Sequence, residues 1–145
     1  MHFYQQKNSK EEKNLIEDLS AHFSKSKLPN PYLTKVDKEL FNKFSVGFEK
    51  GITATAPGFY APQGRQVRAK SKYKKLITTL SNFKSNQHRI TNLEMETAGI
   101  YGLAKVLGHQ AISFNAILAN RANGDFSTHP KRTIKKLIET VLDKI

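Results

Sequence analysis

The sequence predicts an α/β fold with a mainly parallel sheet. Stretches rich in β-branched and apolar residues alternate with stretches of helical periodicity, in the order strand, helix, strand, helix, strand, helix. The run "QAISFNAILAN" is apolar almost throughout, the signature of a strand buried on both faces. No internal repeat or low-complexity tract interrupts this order.

Each element has its own signal. A first helix is predicted over 10–23: Ser9 can cap it, Glu12 stands three residues on as reciprocal partner, and Leu15, Ile16, Leu19 and Phe23 share one face. "SKSKLPNPYLTK" reads as a loop, broken by Pro29 and Pro31. A short helix follows over 37–44, and a first strand over 46–56. A basic amphipathic helix is predicted over 71–83, with Tyr73, Leu76, Ile77 and Leu80 inward. "RITNLEMETAGIYGLAKVLG" reads as a short strand that becomes a helix near Glu94. Met95, Ala98, Gly99, Gly102, Leu103 and Val106 are expected on its inner side, and Gly108 ends it. After the apolar strand and a polar loop, the last helix starts near Pro130, capped by Thr128. Ile134, Leu137, Ile138, Val141, Leu142 and Ile145 form its expected core stripe. Three strands make a small sheet, so the neighbours of the apolar strand are expected outside this chain.

The 145 residues suffice for one core, and we read 1–145 as a single, partial domain. No apolar run approaches the roughly 18 residues of a membrane span. The start, "MHFYQQK", lacks the apolar centre of a leader, and cysteine is absent. Together these lead us to expect a cytoplasmic protein without membrane contacts. The five histidines are scattered with no ligand spacing, so no metal is expected. The formal charge is +12, from 24 Lys+Arg against 12 Asp+Glu. Lys70, Lys72, Lys74 and Lys75, and further on Lys131, Arg132, Lys135 and Lys136, fit either solvated helix faces or a nucleic-acid surface.

In parallel α/β sheets, ligands bind beyond the carboxyl ends of the strands. Phe59, Tyr60, Gln63 and Arg65 follow the first strand, Glu94, Met95 and Glu96 follow the second, and Asn120 and Arg121 end the third. Each has a purely structural reading. The carboxylates suit a helix N-terminus, Met95 suits a core, the aromatics can pack the loop, and Gln63 and Arg65 can satisfy loop carbonyls. Read together they fit a nucleoside. A carboxylate accepts from both hydroxyls of a ribose diol. An amide matches an adjacent N–H and C=O on a pyrimidine, a guanidinium donates to a carbonyl gaining charge, and an aromatic can stack on the base.

Three segments, "GITATAPGFYAPQGR", "ITNLEMETAGIYGLAKVLGH" and "AILANR", resemble uridine phosphorylase, within the nucleoside phosphorylase superfamily. The resemblance implies a partial three-layer α/β/α fold with a central mixed sheet, of which this chain holds the C-terminal half. It implies reversible phosphorolysis of uridine to uracil and ribose 1-phosphate, a pentosyl transfer with phosphate as co-substrate and no cofactor. By resemblance, Gln63 and Arg65 read the uracil edge, Arg121 supports it, and Phe59 lies beside the base. Met95 and Glu96 contact the ribose, Glu96 through its hydroxyls, and Glu94 is a carboxylate at the same site. Leu118 and Ala119 wall the base pocket. Gln63, Arg65 and Glu96 are the residues expected to carry catalysis. Purine-specific relatives place an acid where this chain has Asn120, so the preference leans to pyrimidines. The family also implies a homo-oligomer, a dimer or hexamer. The glycine- and arginine-bearing half that holds phosphate has no counterpart here, and no phosphate-cradling glycine loop is found. Two other classes stand beside this reading: a non-catalytic fragment that only assembles with other subunits, and a basic nucleic-acid-binding module. Glu94 and Glu96, which would repel phosphates, argue against the second.

Overall fold

The structure is a computed structural model and describes residues 9–145. The "MHFYQQK" start that we read as lacking a leader's apolar centre lies outside the described residues. In chain order the elements are α1 (Lys10–Ser24), α2 (Lys38–Phe44), β1 (Ile52–Thr55), α3 (Leu76–Ser81), β2 (Lys84–Ser85), β3 (His88–Glu94), α4 (Thr97–Leu107), β4 (Ala119–Asn120), β5 (Asp125–Phe126) and α5 (Pro130–Leu142). Among the described residues no helix is long and apolar enough to cross a membrane.

The α1 helix begins as its sequence dictates. The Ser9 hydroxyl accepts from Glu12 N, and the Glu12 carboxylate accepts from Ser9 N at 2.6 Å. The α2 helix starts the same way, with Asp37 Oδ1 accepting from Glu39 N and Leu40 N. These caps fix where the helices start, and packing fixes where they lie. Leu15 and Leu19 of α1 are buried with Phe83, and Ile52 of β1 and Ile90 of β3 pack on them. His22 meets Phe83 edge-on and donates through Nε2 to the carbonyl of Thr79 at 2.7 Å. The core thus sits between α1 and the sheet. Each fully buried leucine contributes roughly 1.5–3 kcal/mol.

The main sheet is three-stranded, in the order β1-β3-β2. The β1 and β3 strands run parallel, with Thr55 opposite Glu94, so both carboxyl ends reach the same rim. The β2 strand pairs antiparallel with β3, which makes the sheet mixed. Gly51 admits nothing larger before β1, because a Cβ there would fall on the Thr91 side chain. The α4 helix packs against β1.

Several expectations are corrected. The first strand occupies only Ile52–Thr55, and Val46 is 68 % exposed. The basic helix spans six residues, not 71–83. Ser71 Oγ accepts from Tyr73 N, a local turn that competes with helix, and like charges at Lys72, Lys74 and Lys75 disfavour its first turn. The helix placed near Glu94 starts at Thr97. Its inner side is Thr97, Ala98 and Tyr101, while Gly99, Leu103 and Val106 are exposed. Gly108 does end it, in the left-handed conformation at φ +74°.

The apolar run forms no long strand. Residues 111–118 pair with no strand, and none is buried. Among the described residues their backbone makes three hydrogen bonds: Asp37 N to Ala111 O, Ser113 N to Tyr101 Oη, and Ser127 N to Leu118 O. Phe114 anchors the run against Phe44 and Phe48. Its end supplies β4, which pairs antiparallel with β5 in a second small sheet. The last helix starts at Pro130 as expected, but His129, not Thr128, precedes it, and no side chain caps it. Its core stripe is not buried: Ile134, Ile138, Leu142 and Ile145 are all exposed, Ile145 at 81 %.

Candidate nucleoside site

The rim at the carboxyl ends of β1 and β3 is organised around Glu94. Its backbone carbonyl accepts from Ala56 N and from Gln63 Nε2, each at 2.9 Å. Its carboxylate accepts from Thr55 Oγ1 at 2.5 Å, from Glu96 N and Thr97 N at 2.8 Å, and from Thr97 Oγ1 at 2.9 Å. Three of the four donors fall on Oε2 and one, Thr55 Oγ1, on Oε1. Burial works to raise the Glu94 pKa, but these bonds outweigh it and hold the carboxyl below its ordinary value. Thr55 Oγ1 also accepts from Ala98 N, so one hydroxyl ties β1, β3 and the start of α4 together.

The loop after β1 folds back onto this rim. A short 3₁₀ turn, Ala61–Gln63, ends at Gly64, whose φ of +72° suits glycine. Gln63 is thereby carried inward and is only 4 % exposed. Its amide donates to Ala56 O at 3.2 Å as well as to Glu94 O, so both hydrogen bonds it makes leave from Nε2. Arg65 lies over the Phe59 ring, 4.0 Å from its centroid, and donates to Phe59 O at 2.6 Å. Phe59 and Tyr60 meet edge-on at 5.3 Å, and both rings are exposed.

Arg121 comes from the far side, just after β4, and donates through Nη1 to the backbone carbonyl of Gln63. Burial, and then the like charge of Arg65, lower its pKa. Arg65 and Arg121 each donate to a backbone carbonyl of the same loop, and two such cations suit an anion or an electron-rich carbonyl. Asn120 Oδ1 accepts from Ala122 N, a local turn that presents Arg121.

The structure thus ties Gln63 to Glu94 and Arg121, and Arg65 to Phe59, and the carbonyl of Tyr60, which accepts from Gln63 N and Arg65 N, links the two sets. Met95 and Glu96 follow Glu94 in the chain, with Met95 half-buried and Glu96 exposed. The Glu96 carboxylate accepts from Met95 N at 3.2 Å. Leu118 and Ala119 are half-buried in the segment that delivers Arg121. Sequence reasoning missed Thr55 and Thr97. The only signal for Thr55 was a threonine at a strand end, and Thr97 reads in sequence as an ordinary helix residue.

The fold is a nucleoside phosphorylase-like α/β architecture, present in part. The chain superposes on a crystal structure of Trypanosoma brucei nucleoside phosphorylase, described as showing uridine phosphorylase activity. The TM-score is 0.78 with 23 % identity, over 97 % of this chain and 50 % of that one. In sequence the chain resembles the uridine phosphorylase of Thermococcus kodakarensis, 35 % identical over 91 residues, which are 61 % of this chain and 31 % of that protein. The chain therefore spans half or less of the length of the relatives it matches, 31 % of one and 50 % of the other. No family model matches it.

Proposed function

We propose that this chain forms the base- and ribose-binding part of a uridine phosphorylase-like site, the C-terminal half of such an enzyme. The observation that carries the proposal is the convergence on Gln63. Its amide is fixed by the ends of β1 and β3, its carbonyl holds Arg121, and Arg65 stands two residues on.

In phosphorolysis, phosphate attacks the sugar at C1′ and the electrons of the N-glycosidic bond pass to the base. Donors aimed at the base carbonyls act where that charge develops. Arg65 and Arg121 each use one N–H on a loop carbonyl and keep others for a ligand. The Gln63 amide oxygen is free of the two bonds that fix the side chain, and a pyrimidine N–H can donate to it. Phe59, already under Arg65, offers an edge or face to the base. The two glutamates divide their roles. Glu94 accepts four protein donors and positions the rim, whereas Glu96 is exposed and able to accept from ribose hydroxyls. The phosphate site belongs to the part of the fold that this chain does not contain.

The test is uridine phosphorolysis by this chain supplied with the uncovered half of the fold. Uracil release is expected, reduced about 10²-fold or more by Gln63→Ala and by Glu96→Ala. Unchanged turnover in both variants overturns the proposal.

A further inference from the structure

A second polar feature stands on the loop that leaves the nucleoside rim. Between Glu49 and Glu94 the sequence has no Asp or Glu, yet Arg65, Arg68, Lys70, Lys72, Lys74 and Lys75 crowd into residues 65–75. This segment is a closed loop. It leaves from Gly64 and returns at Leu76, and a Cβ on Gly64 would stand 3.4 Å from the Leu76 side chain. With its ends together, a loop of this length spans at most about 20 Å, so its cations lie within roughly two Debye lengths of one another. Ser71 is buried and accepts from Tyr73 N, which turns the chain, while Arg68, Lys70, Lys72, Lys74 and Lys75 are exposed.

Among the described residues the ion pairs use Lys35, His88, Arg89 and Lys135, and none of the six loop cations takes part. Glu94 and Glu96 pair with none of them. The Glu94 carboxylate accepts from Thr55, Glu96 N and Thr97 instead, so the carboxylates that speak against phosphate belong to the rim and not to the loop. A single surface lysine is ordinarily solvated and needs no partner. Six cations on one closed loop, with no counter-charge in it, set up a positive potential that attracts a polyanion.

We propose that this loop, with Tyr60 beside it, binds single-stranded nucleic acid. The rings select that partner among polyanions. Tyr60 is 61 % exposed and Phe59 54 %, a stacking surface that an unpaired base can use and a base inside a duplex cannot. The Tyr60 carbonyl accepts from Arg65 N at 2.9 Å, so the ring stands where the basic loop departs. A lipid surface calls for apolar side chains that insert, and Val67 is the one large aliphatic residue in 65–75. An acidic peptide would meet the cations but leave the rings without a role. The proposal is separate from the nucleoside reading. Phe59 and Arg65 are common to both, but Tyr60, Arg68 and the four lysines serve only this one, and its readouts involve no nucleoside turnover.

The experiment titrates the 145-residue chain into a fluorescein-labelled poly(U) strand of about 20 nucleotides and follows anisotropy at several KCl concentrations. Log K is expected to fall against log salt with a slope of about −2 to −4, as roughly three to six phosphates are neutralised. Lys70→Gln, Lys72→Gln and Lys74→Gln, made together, are expected to weaken binding about tenfold or more and to flatten the slope by about 2. Tyr60→Ala is expected to weaken it about fivefold or more with the slope unchanged. Lys131→Gln, Arg132→Gln and Lys135→Gln together remove the same charge from α5 and are expected to change binding by less than about threefold. All seven positions are exposed, so circular dichroism of the variants is expected to match the parent. Four results overturn the proposal: no binding at about 50 mM salt, equal weakening by the loop and α5 variants, full affinity in Tyr60→Ala, or tighter binding to duplex RNA, poly-glutamate or phosphatidylserine vesicles than to the single strand.

Discussion

The side-chain amide of Gln63 donates to the backbone carbonyl of Glu94 at 2.9 Å, closing the loop after β1 over the last residue of β3. The same amide holds Ala56 O, so one buried side chain satisfies carbonyls from the ends of two parallel strands. Gln63→Ala is expected to leave Ala56 O without this donor and to open a small void. The expected loss is roughly 1–3 kcal/mol, the cost of unsatisfying a buried polar group, read as a lowered denaturant midpoint. Gln63→Glu is expected to cost more, since a carboxylate would face two carbonyl oxygens.

Thr55→Val keeps the shape of the side chain and removes the hydroxyl that donates to Glu94 and accepts from Ala98 N. A loss of about 1–3 kcal/mol is expected, with Thr55→Ser close to the parent. The Glu94 carboxyl is also expected to titrate higher in the valine variant, because one of the bonds that lower it is gone. Urea denaturation checks the first statement and carboxyl-carbon NMR titration the second.

Acid stability follows from two carboxylates. Glu94 and Glu12 have lowered pKa values in the folded chain. In each, burial opposes the shift and hydrogen bonds outweigh it, from Thr55, Glu96 N and Thr97 for Glu94 and from Ser9 for Glu12. A lowered folded pKa means that the unfolded chain binds protons first as pH falls. The contribution is therefore complete above the ordinary glutamate value of about 4.3 and is lost as pH drops through the folded values. Stability against urea is expected to be flat in this respect near neutrality and to fall below about pH 4.3. Glu94→Gln is expected to shrink that acid-dependent part while lowering stability at neutral pH.

Arg121 carries the third segment to the rim by donating to Gln63 O. Arg121→Lys keeps the charge but loses the planar fork, so it is not a conservative change. Uridine turnover by the complemented chain is expected to fall about tenfold or more in Arg121→Lys and further in Arg121→Ala, with far-UV circular dichroism unchanged. Equal activity of the lysine variant would show that charge alone is used.

The capping box gives a control away from the site. Ser9→Ala removes the acceptor for Glu12 N and is expected to cost about 1 kcal/mol with no effect on uridine turnover.

Local chemistry by itself determined the parts of this protein that depend on neighbours in sequence. Ser9 with Glu12, and Gly108 after α4, act within a few residues, and the structure has them as the sequence implies. The candidate rim was also legible, because strand ends in a parallel arrangement must collect the loops that follow them. The tertiary structure alone decided which glutamate is occupied. Glu94 and Glu96 look alike in sequence, but only Glu94 meets Thr55 from another strand, and that contact exists only once β1 and β3 are in register. It also decided the fate of the apolar stripes. Periodicity shows that a face of α5 is apolar but not what covers it, and in this chain Ile138 and its neighbours face outward. The run 111–118 has the composition of a central strand, yet a strand is defined by pairing, and the described residues supply no partner for it.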